Sequence, residues 1–130
     1  MTIRAIALSA CLLAACAAPQ NYQVDQRRGP PIPAEQAEQV VRAYLTRNLK
    51  DPDSIKQWKF EGPIEISWQR GIVYGGGRDE GWLFCVEYNA KNSFGAYVGL
   101  QRVPFVMRRD VSGNPWIIND VNWAAAAPGC

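Results

Sequence analysis

Three hydrophobic patterns follow one another along the chain, and each predicts a different kind of segment. Residues 5–13 are almost continuously apolar and follow a single Arg4. Residues 33–50 place apolar side chains at helical spacing, and from residue 64 onward apolar and polar positions tend to alternate. An apolar run of about ten residues is too short to span a bilayer, which needs roughly 20. The first pattern therefore predicts a leader segment, and the other two predict a folded domain.

Residues 33–50 predict one amphipathic helix. Pro33 suits the first helical position, and Glu35 and Arg47 lie where the helix dipole favours their charges. The apolar stripe recurs at intervals of three and four residues and consists of Ala37, Val40, Val41, Tyr44, Leu45 and Leu49. The next segment, Asp-Pro-Asp-Ser at 51–54, is read as a turn that stops the helix. A carboxylate pair or a cation site is the alternative there, although Ca²⁺ needs more oxygen ligands than this segment supplies.

The second half of the domain predicts four or five antiparallel strands. They are expected at residues 55–60, 64–68, 82–89, 96–109 and 116–123, with turns at 71–77, 90–95 and 110–115. Alternation in the third strand puts Trp82, Phe84, Val86 and Tyr88 on one face, and Leu83, Cys85 and Glu87 on the other. Pro104 predicts an edge or a bulge. The fold class is therefore α+β, with one N-terminal helix packed on a twisted antiparallel sheet.

The end of the leader carries the most specific motif in the sequence. Leu13-Ala14-Ala15-Cys16 resembles the lipobox of bacterial lipoproteins, in which the cysteine is acylated and becomes the new N-terminus. The resemblance implies a signal peptide at residues 1–15 and three acyl chains on Cys16, with palmitate among the expected modifications. Ala17 in place of an aspartate implies the outer membrane, with the protein facing the periplasm. An ordinary cleaved signal, with Cys16 incidental, is the alternative.

The mature chain divides into a tether and one domain. Residues 16–33 are polar and rich in proline, which predicts a tether with a reach on the order of 20 Å if it is flexible. Residues 34–130 are enough for a single α+β domain with a modest core.

Composition and charge narrow the classes of function. The formal net charge is +2 with Arg4 included, and no concentrated basic face is present, so no nucleic-acid partner is expected. The doublets Arg27-Arg28 and Arg108-Arg109 are read as solvated. The chain contains no histidine, which excludes Ser-His and Cys-His nucleophile pairs and histidine metal sites. We therefore expect no catalytic residues, no cofactor and no metal, and a carboxylate pair is the one formal route to an enzyme.

The cysteines predict a disulfide. Cys11 lies in the leader and Cys16 carries the lipid, so two of the four cysteines belong to the domain. An oxidising periplasm favours a bond between Cys85 and Cys130. That bond would close a loop of about 45 residues and add roughly 4 kcal/mol in the chain-entropy model. Two unpaired thiols are the alternative.

Two segments of the domain resemble a group of small, uncharacterised bacterial lipoproteins and envelope proteins. They are residues 49–56, Leu-Lys-Asp-Pro-Asp-Ser-Ile-Lys, and residues 84–99, Phe-Cys-Val-Glu-Tyr-Asn-Ala-Lys-Asn-Ser-Phe-Gly-Ala-Tyr-Val-Gly. The resemblance implies membership of this group and no particular activity.

The hairpin at 89–95 is the best candidate for partner recognition. Its polar tip contains Asn89, Lys91 and Asn92, and aromatic residues flank it, among them Tyr97. We expect these polar side chains to be exposed, so that replacing Lys91 and Asn92 changes stability by less than about 0.5 kcal/mol. The alternative is that asparagine and glycine serve only the turn.

Tryptophan supplies a second candidate contact. Trp68 and Trp82 fit strand patterns and are expected in the core. Trp116 and Trp123 fall on opposite faces of the last strand by parity, so one of them is expected to be partly exposed or covered by the C-terminal tail. Trp123 therefore joins the candidate partner-binding residues, because an exposed aromatic ring can stack on a sugar or contact a protein.

Three functional hypotheses follow from these features. The first is a non-enzymatic outer-membrane lipoprotein that acts as an accessory or binding module for an envelope partner. The second is an inhibitor or cell-wall-binding module that uses the 89–95 hairpin and an exposed tryptophan. The third is an enzyme built on a carboxylate cluster with raised pKa values.

Overall fold

A computed structural model describes residues 27–118 and residue 130 of the protein. In these residues one helix, α1 (Ala34–Asn48), precedes four strands and a short 3-10 turn. These are β1 (Asp51–Gln69), the turn Ile72–Tyr74, β2 (Arg78–Lys91), β3 (Gln101–Arg109) and β4 (Pro115–Ile117). The strands form one antiparallel sheet in the order β1-β2-β3-β4. The predicted α+β class, with one helix on an antiparallel sheet, is confirmed.

Helix α1 is amphipathic, as its sequence predicts, and slightly shorter. It starts at Ala34, directly after Pro33, and ends at Asn48, after which Leu49 is extended. Its buried residues are Ala37, Val41 and Leu45. The helix therefore ends before Asp51-Pro52, and Pro52 alone does not terminate it.

The main core lies between α1 and one face of the sheet. The four side chains predicted to share a face of the third strand, Trp82, Phe84, Val86 and Tyr88, are all buried there. Strand β3 adds Phe105 and Met107, and the ring of Tyr44 meets that of Phe105 edge to face at 5.7 Å. Burial of large apolar side chains on one side of the sheet holds the helix in place.

A second apolar cluster occupies the opposite face of the sheet. It consists of Ile66, Trp68, Leu83, Cys85, Val106 and Ile118, with Cys130 packed against it. Strand β2 therefore contributes buried side chains to both faces, and only Glu87 of its central residues is partly exposed. The predicted disulfide is confirmed, because Cys85 and Cys130 are bonded with their Cα atoms 5.5 Å apart.

One long strand replaces the two short strands predicted at 55–60 and 64–68. Strand β1 shifts register against β2 between Glu61 and Ile64, where Glu61 pairs with Cys85 and Ile64 with Leu83. Because alternation has a period of two, this one-residue bulge moves even-numbered side chains to the other face. Phe60 accordingly packs on the main core, whereas Ile66 joins the second cluster.

The bulge depends on Gly62. Its φ is +131°, a conformation that L side chains rarely adopt, and a Cβ there would lie 2.6 Å from Cδ1 of Phe84 and 2.8 Å from the carbonyl oxygen of Leu83. Glycine at position 62 therefore permits the bulge, and through the bulge β1 contributes side chains to the apolar clusters on both faces of the sheet.

Other strand boundaries also differ from the sequence prediction, among them those of β2, which extends beyond the predicted 82–89 at both ends. The segment 51–54 belongs to β1, although Ser54 still donates a turn-like hydrogen bond to the carbonyl of Asp51 at 2.6 Å. The return strand begins at Gln101, because residues 92–100 form a loop. The last strand is described only at Pro115–Ile117, and residues 119–129 lie outside the described residues.

Pro104 occupies an edge, as predicted. It pairs with Cys85 on β2, and β4 pairs only with Met107 to Arg109 on the other side of β3. Within the described chain, β3 has no strand neighbour beyond that point, and an edge tolerates the missing amide hydrogen of proline.

The packed domain begins before residue 34. Ile32 is fully buried in the main core, and the guanidinium of Arg28 lies 3.1 Å from a carboxylate oxygen of Glu65. Residues 27–33 therefore contact the domain, although they were assigned to the tether.

Arg108 was predicted to be solvated, and this is wrong. It is buried, donates from Nε to the carbonyl of Glu80 at 2.6 Å, and lies 3.7 Å from Asp79. Asp79 also forms a buried ion pair with Arg70. The carboxylate compensates for the desolvation of the two guanidinium groups, which sequence alone could not anticipate.

Replacing Gly62 tests the bulge. We expect Gly62→Ala to lower the free energy of unfolding by about 3 kcal/mol or more, because backbone strain adds to a clash with Phe84. Gly113→Ala is the matched control, since Gly113 also has a positive φ of +86° and nothing lies within 4 Å of its Cβ position. The control should lose about 1 kcal/mol. Equal losses in urea unfolding would contradict a steric role for Gly62.

Reduction tests the contribution of the disulfide. We expect the bond to stabilise the domain by roughly 4 kcal/mol, because it restricts the unfolded chain across a long loop. Cys85→Ser with Cys130→Ser should melt at the temperature of the reduced wild type and should not respond to reductant. A wild type whose melting temperature is unchanged by reductant would contradict the expectation.

Candidate functional site

The end of the sheet formed by the start of β1 and the end of β2 gathers the candidate residues. Here Asp51 pairs with Lys91, and Lys91 forms an isolated bridge with Tyr97 in the loop 92–100. We call this region the loop end: residues 49–57 together with 89–100. The segments 49–56 and 84–99 meet at the loop end, although they are far apart in sequence.

Ser54 joins the two segments directly. Its hydroxyl donates to the carbonyl of Asp51 and accepts the backbone amide hydrogen of Lys91 at 2.8 Å. The register of β1 shifts between Asp51 and Lys56, so this side-chain bond replaces ladder pairing that the irregular strand lacks. A short hydroxyl side chain that can donate and accept at once is required here.

Asn89 is buried, which corrects the prediction that it is exposed at a hairpin tip. Only 8% of its surface is accessible. Its side-chain nitrogen donates to Gln57 at 3.1 Å, and its side-chain oxygen accepts the amide hydrogen of Gly99 at 3.2 Å. Gln57 has a φ of +58° at a second irregularity of β1. The amide of Asn89 therefore ties the loop 92–100 to β1, and Asn89 is a positioning residue.

Asn92 holds the turn of the loop. Its side-chain oxygen accepts the amide hydrogens of Phe94 at 2.9 Å and of Ala96 at 3.2 Å. Backbone hydrogen bonds close the same turn, from Asn92 to Ala96 and from Gly95 to Asn92. The alternative, in which asparagine serves the turn, therefore holds for Asn92. This corrects the expectation that replacing this side chain changes stability by less than about 0.5 kcal/mol, because two backbone amides depend on it.

Apolar side chains project from this ordered loop into solvent. Phe94 is 93% exposed. Tyr97, Val98 and Leu100 are also exposed. Four exposed large apolar residues within seven positions, on a loop whose backbone is held by side-chain hydrogen bonds, are unusual for a surface that contacts only water.

Lysine side chains surround these apolar groups. The ammonium of Lys56 lies 3.5 Å from the centroid of the Tyr97 ring, and that of Lys91 lies 5.5 Å from it. These two cation–π contacts fix the ring. The loop end carries three lysines, Lys50, Lys56 and Lys91, against two aspartates, Asp51 and Asp53, which gives it a formal charge of +1. Among the described residues none of the three lysines forms an ion pair, although Asp51 is the strand partner of Lys91.

A shallow cleft of about 240 Å³ opens between the end of α1 and the loop. Its lining residues are Asn48, Leu49, Lys50, Tyr88, Ala90, Lys91, Asn92, Ser93, Val98 and Gln101. Burial raises the pKa of the Tyr88 phenol above its ordinary value, and electrostatic repulsion from the neighbouring Tyr44 phenol raises it further. The Tyr88 phenol is therefore protonated at neutral pH. The cleft thus offers neutral hydrogen-bonding groups and two ammonium groups.

A second group with a shifted pKa, Glu61, lies on the sheet, away from the loop end. A hydrogen bond from Lys59 lowers the pKa of Glu61, assisted by the charges of Lys59 and Arg102, and outweighs its desolvation. Glu61 is therefore ionised at neutral pH and forms a surface ion network. Within residues 27–118 and 130, no group of three histidine, cysteine or acidic residues is arranged to hold a metal ion.

The other candidate residues are distributed elsewhere. Trp116 is 43% exposed and lies on β4, near the end of the sheet opposite the loop end. Cys16 and Trp123 lie outside the described residues. Asn89, Lys91, Asn92 and Tyr97 are brought together at the loop end. Sequence reasoning missed three partners: Ser54 for Lys91, Lys56 for Tyr97 and Gln57 for Asn89. In the described part of the chain, no helix is both long and apolar enough to cross a membrane.

Comparison with known proteins returned no match. No family model, no curated protein and no solved structure is significantly similar to this chain.

Replacing Asn92 tests whether the loop is held as described. We expect Asn92→Ala to lower the free energy of unfolding by about 1–2 kcal/mol, because two backbone amides lose their acceptor. Ser93→Ala, at an exposed neighbouring position, is the control and should change stability by less than about 0.5 kcal/mol. Urea unfolding measures both variants. Equal stabilities would mean that backbone bonds alone hold the turn.

Proposed function

We propose that the protein is a non-enzymatic envelope lipoprotein, anchored by lipid on Cys16 at the outer membrane, whose loop end binds a partner protein in the periplasm. Support for the anchor comes from Leu13-Ala14-Ala15-Cys16 in the sequence. Support for the binding role comes from the loop 92–100. No cofactor and no metal are part of this proposal.

The observation that carries the binding role is an ordered loop that exposes its apolar groups. Flexible loops can hide apolar side chains by collapsing, but Asn89 and Asn92 hold this backbone in place. Phe94 then projects almost completely into solvent. An ordered backbone lowers the entropy lost on binding, and a projecting aromatic ring is a common anchor at protein interfaces.

Charge indicates the chemistry of the partner. Lys56 and Lys91 lie over the ring of Tyr97, and Lys50 lines the same cleft as Val98. None of the three takes part in an ion pair of the described domain. The complementary surface would combine an apolar pocket for Phe94 with carboxylates around it. An acidic protein surface fits this description.

A cell-wall-binding or inhibitory module that combines the hairpin with an exposed tryptophan is the second candidate. The ring of Tyr97 is covered by Lys56, and Trp116 follows the turn 110–114 near the opposite end of the sheet. These two aromatic residues therefore do not form one sugar-binding surface, which favours the protein partner. Trp123 stays a candidate for this second function.

The anchor and the loop are tested separately. Cys16→Ser should move the protein from the membrane fraction to the soluble fraction and remove the acyl mass from the intact protein. A wild type recovered soluble with a free terminus at residue 17 would contradict the anchor.

The loop is tested by photocrosslinking from position 94 in intact cells. We expect one discrete protein adduct, which is lost when Lys56 and Lys91 are both replaced by glutamate, because the partner surface is acidic. A photocrosslinker at position 59, on an exposed β1 residue away from the loop, is the control and should give no such adduct. Co-sedimentation with purified peptidoglycan, in place of a protein adduct, would favour the cell-wall function.

A further inference from the structure

The antiparallel topology places four elements at the end of the sheet opposite the loop end. Strand β1 runs from the loop end to Gln69, and β2 returns from Arg78, so the residues 70–77 between them lie at the opposite end. Strand β3 also runs to that end and turns at 110–114 into β4. The two turns are separated by two strand spacings, roughly 10 Å.

The start of the described chain lies at the same end. Arg109, the last residue of β3, donates from Nη2 to the carbonyl of Pro31 at 3.3 Å and from Nη1 to the side chain of Gln36 at 3.4 Å. Its Nη1 also donates to the carbonyl of Gly113 at 2.7 Å. One guanidinium therefore fastens the segment before α1, the first turn of α1 and the turn 110–114 together. We call this region the N-terminal end.

The most exposed apolar residues of the described domain other than Phe94 lie at the N-terminal end. Ile72 and Val73 are 92% and 88% exposed, and Val111 in the neighbouring turn is fully exposed. Trp116, one strand position beyond that turn, is half-exposed. None of these side chains is needed to fill either core, since none belongs to the two buried clusters.

The turn that presents Ile72 and Val73 has an ordered base. The buried ion pair between Arg70 and Asp79 closes it from both sides, and the amide of Arg70 donates to the carbonyl of Gly77 at 2.9 Å. The residues 69–78 include no carboxylate, and Arg78, which is exposed at the end of the turn, donates a hydrogen bond to the hydroxyl of Ser67. Apolar side chains flanked by arginine suit the boundary between acyl chains and anionic headgroups.

The short chain between Cys16 and Arg27 indicates that the N-terminal end would contact the membrane. Eleven peptide steps separate Cys16 from Arg27, so the fully extended chain between them spans at most about 40 Å. Arg28 contacts Glu65 and Glu80 near the N-terminal end, and β2 places the loop end roughly 30–35 Å further away along the sheet. If Cys16 carries lipid, the N-terminal end is thus the part of the domain that the tether keeps near the bilayer.

From these observations we infer that the protein has a second membrane contact: Ile72 and Val73, with Val111 and Trp116 beside them, insert at the surface of the bilayer to which Cys16 is anchored. This inference rests on the proposed lipid anchor. The contact would orient the domain with its loop end directed away from the membrane, towards the periplasmic partner.

Backbone hydrogen exchange tests the contact. The lipidated protein, in vesicles of phosphatidylethanolamine and phosphatidylglycerol, is compared with soluble Cys16→Ser. We expect exchange in 71–77 and 111–113 to slow about threefold or more on the vesicles, because insertion excludes water, while exchange in 93–100 stays unchanged. Ile72→Ser with Val73→Ser should abolish the slowing without changing the melting temperature. Ile64→Ser, at an exposed apolar position of β1, should retain it.

A second arm separates this inference from the anchor itself. The chain beginning at Cys16 is coupled through that thiol to a maleimide lipid, so it is anchored whether or not cells acylate it. Slowing at 71–77 in this arm, with no acylation in cells, would support the surface and overturn the anchor. Unchanged exchange at 71–77 would overturn the inference, as would slowing at 93–100. Slowing at 71–77 in concentrated soluble Cys16→Ser would also overturn it, because it would indicate contact between two copies of the chain.

Discussion

Strand β2 sends alternate side chains into two separate cores, and both faces of the sheet depend on this double burial. Trp82, Phe84, Val86 and Tyr88 meet the helix, whereas Leu83 and Cys85 meet the second cluster. A strand that is buried on both faces cannot slip by one residue without exposing both sets at once. The disulfide to Cys130 fastens the second face at the middle of the same strand. The helix therefore packs on β2, both neighbouring strands pair with it, and Cys130 is bonded to it.

The neighbouring strand can serve both cores only because it changes register. The bulge at Gly62 turns even-numbered residues of β1 from the helix face to the opposite face. A second irregularity near Gln57 leaves ladder positions without regular partners, and Ser54 and Asn89 supply side-chain hydrogen bonds in their place. Deviations from regular strand geometry are therefore concentrated in β1, and one group of them builds the loop end.

Polar side chains that bond the backbone hold both loops in place while apolar side chains face outward. At the loop end the amides of Asn89 and Asn92 fix the backbone around Phe94. At the N-terminal end the ion pair of Arg70 and Asp79 closes the base of the turn that carries Ile72 and Val73. Asn89, Arg70 and Asp79 are buried, and hydrogen bonds are stronger in a low-dielectric setting, so both turns present their apolar side chains on ordered supports. The two proposed contacts, a partner protein and a membrane surface, lie at opposite ends of one sheet.

The amino-acid sequence by itself determined the class of fold, the apolar stripe of α1, the buried face of β2 and the partner of Cys85. Each of these depends on local periodicity, composition or a short motif. Tertiary structure alone decided that Asn89 and Arg108 are buried and that residues 28 and 32 already pack on the domain. It also decided that segments 49–56 and 84–99 meet, and that Trp116 lies near the other end. The reason is that side-chain burial and hydrogen-bond partners across the sheet depend on register, and a single bulge reverses register without leaving a periodic signal in the sequence.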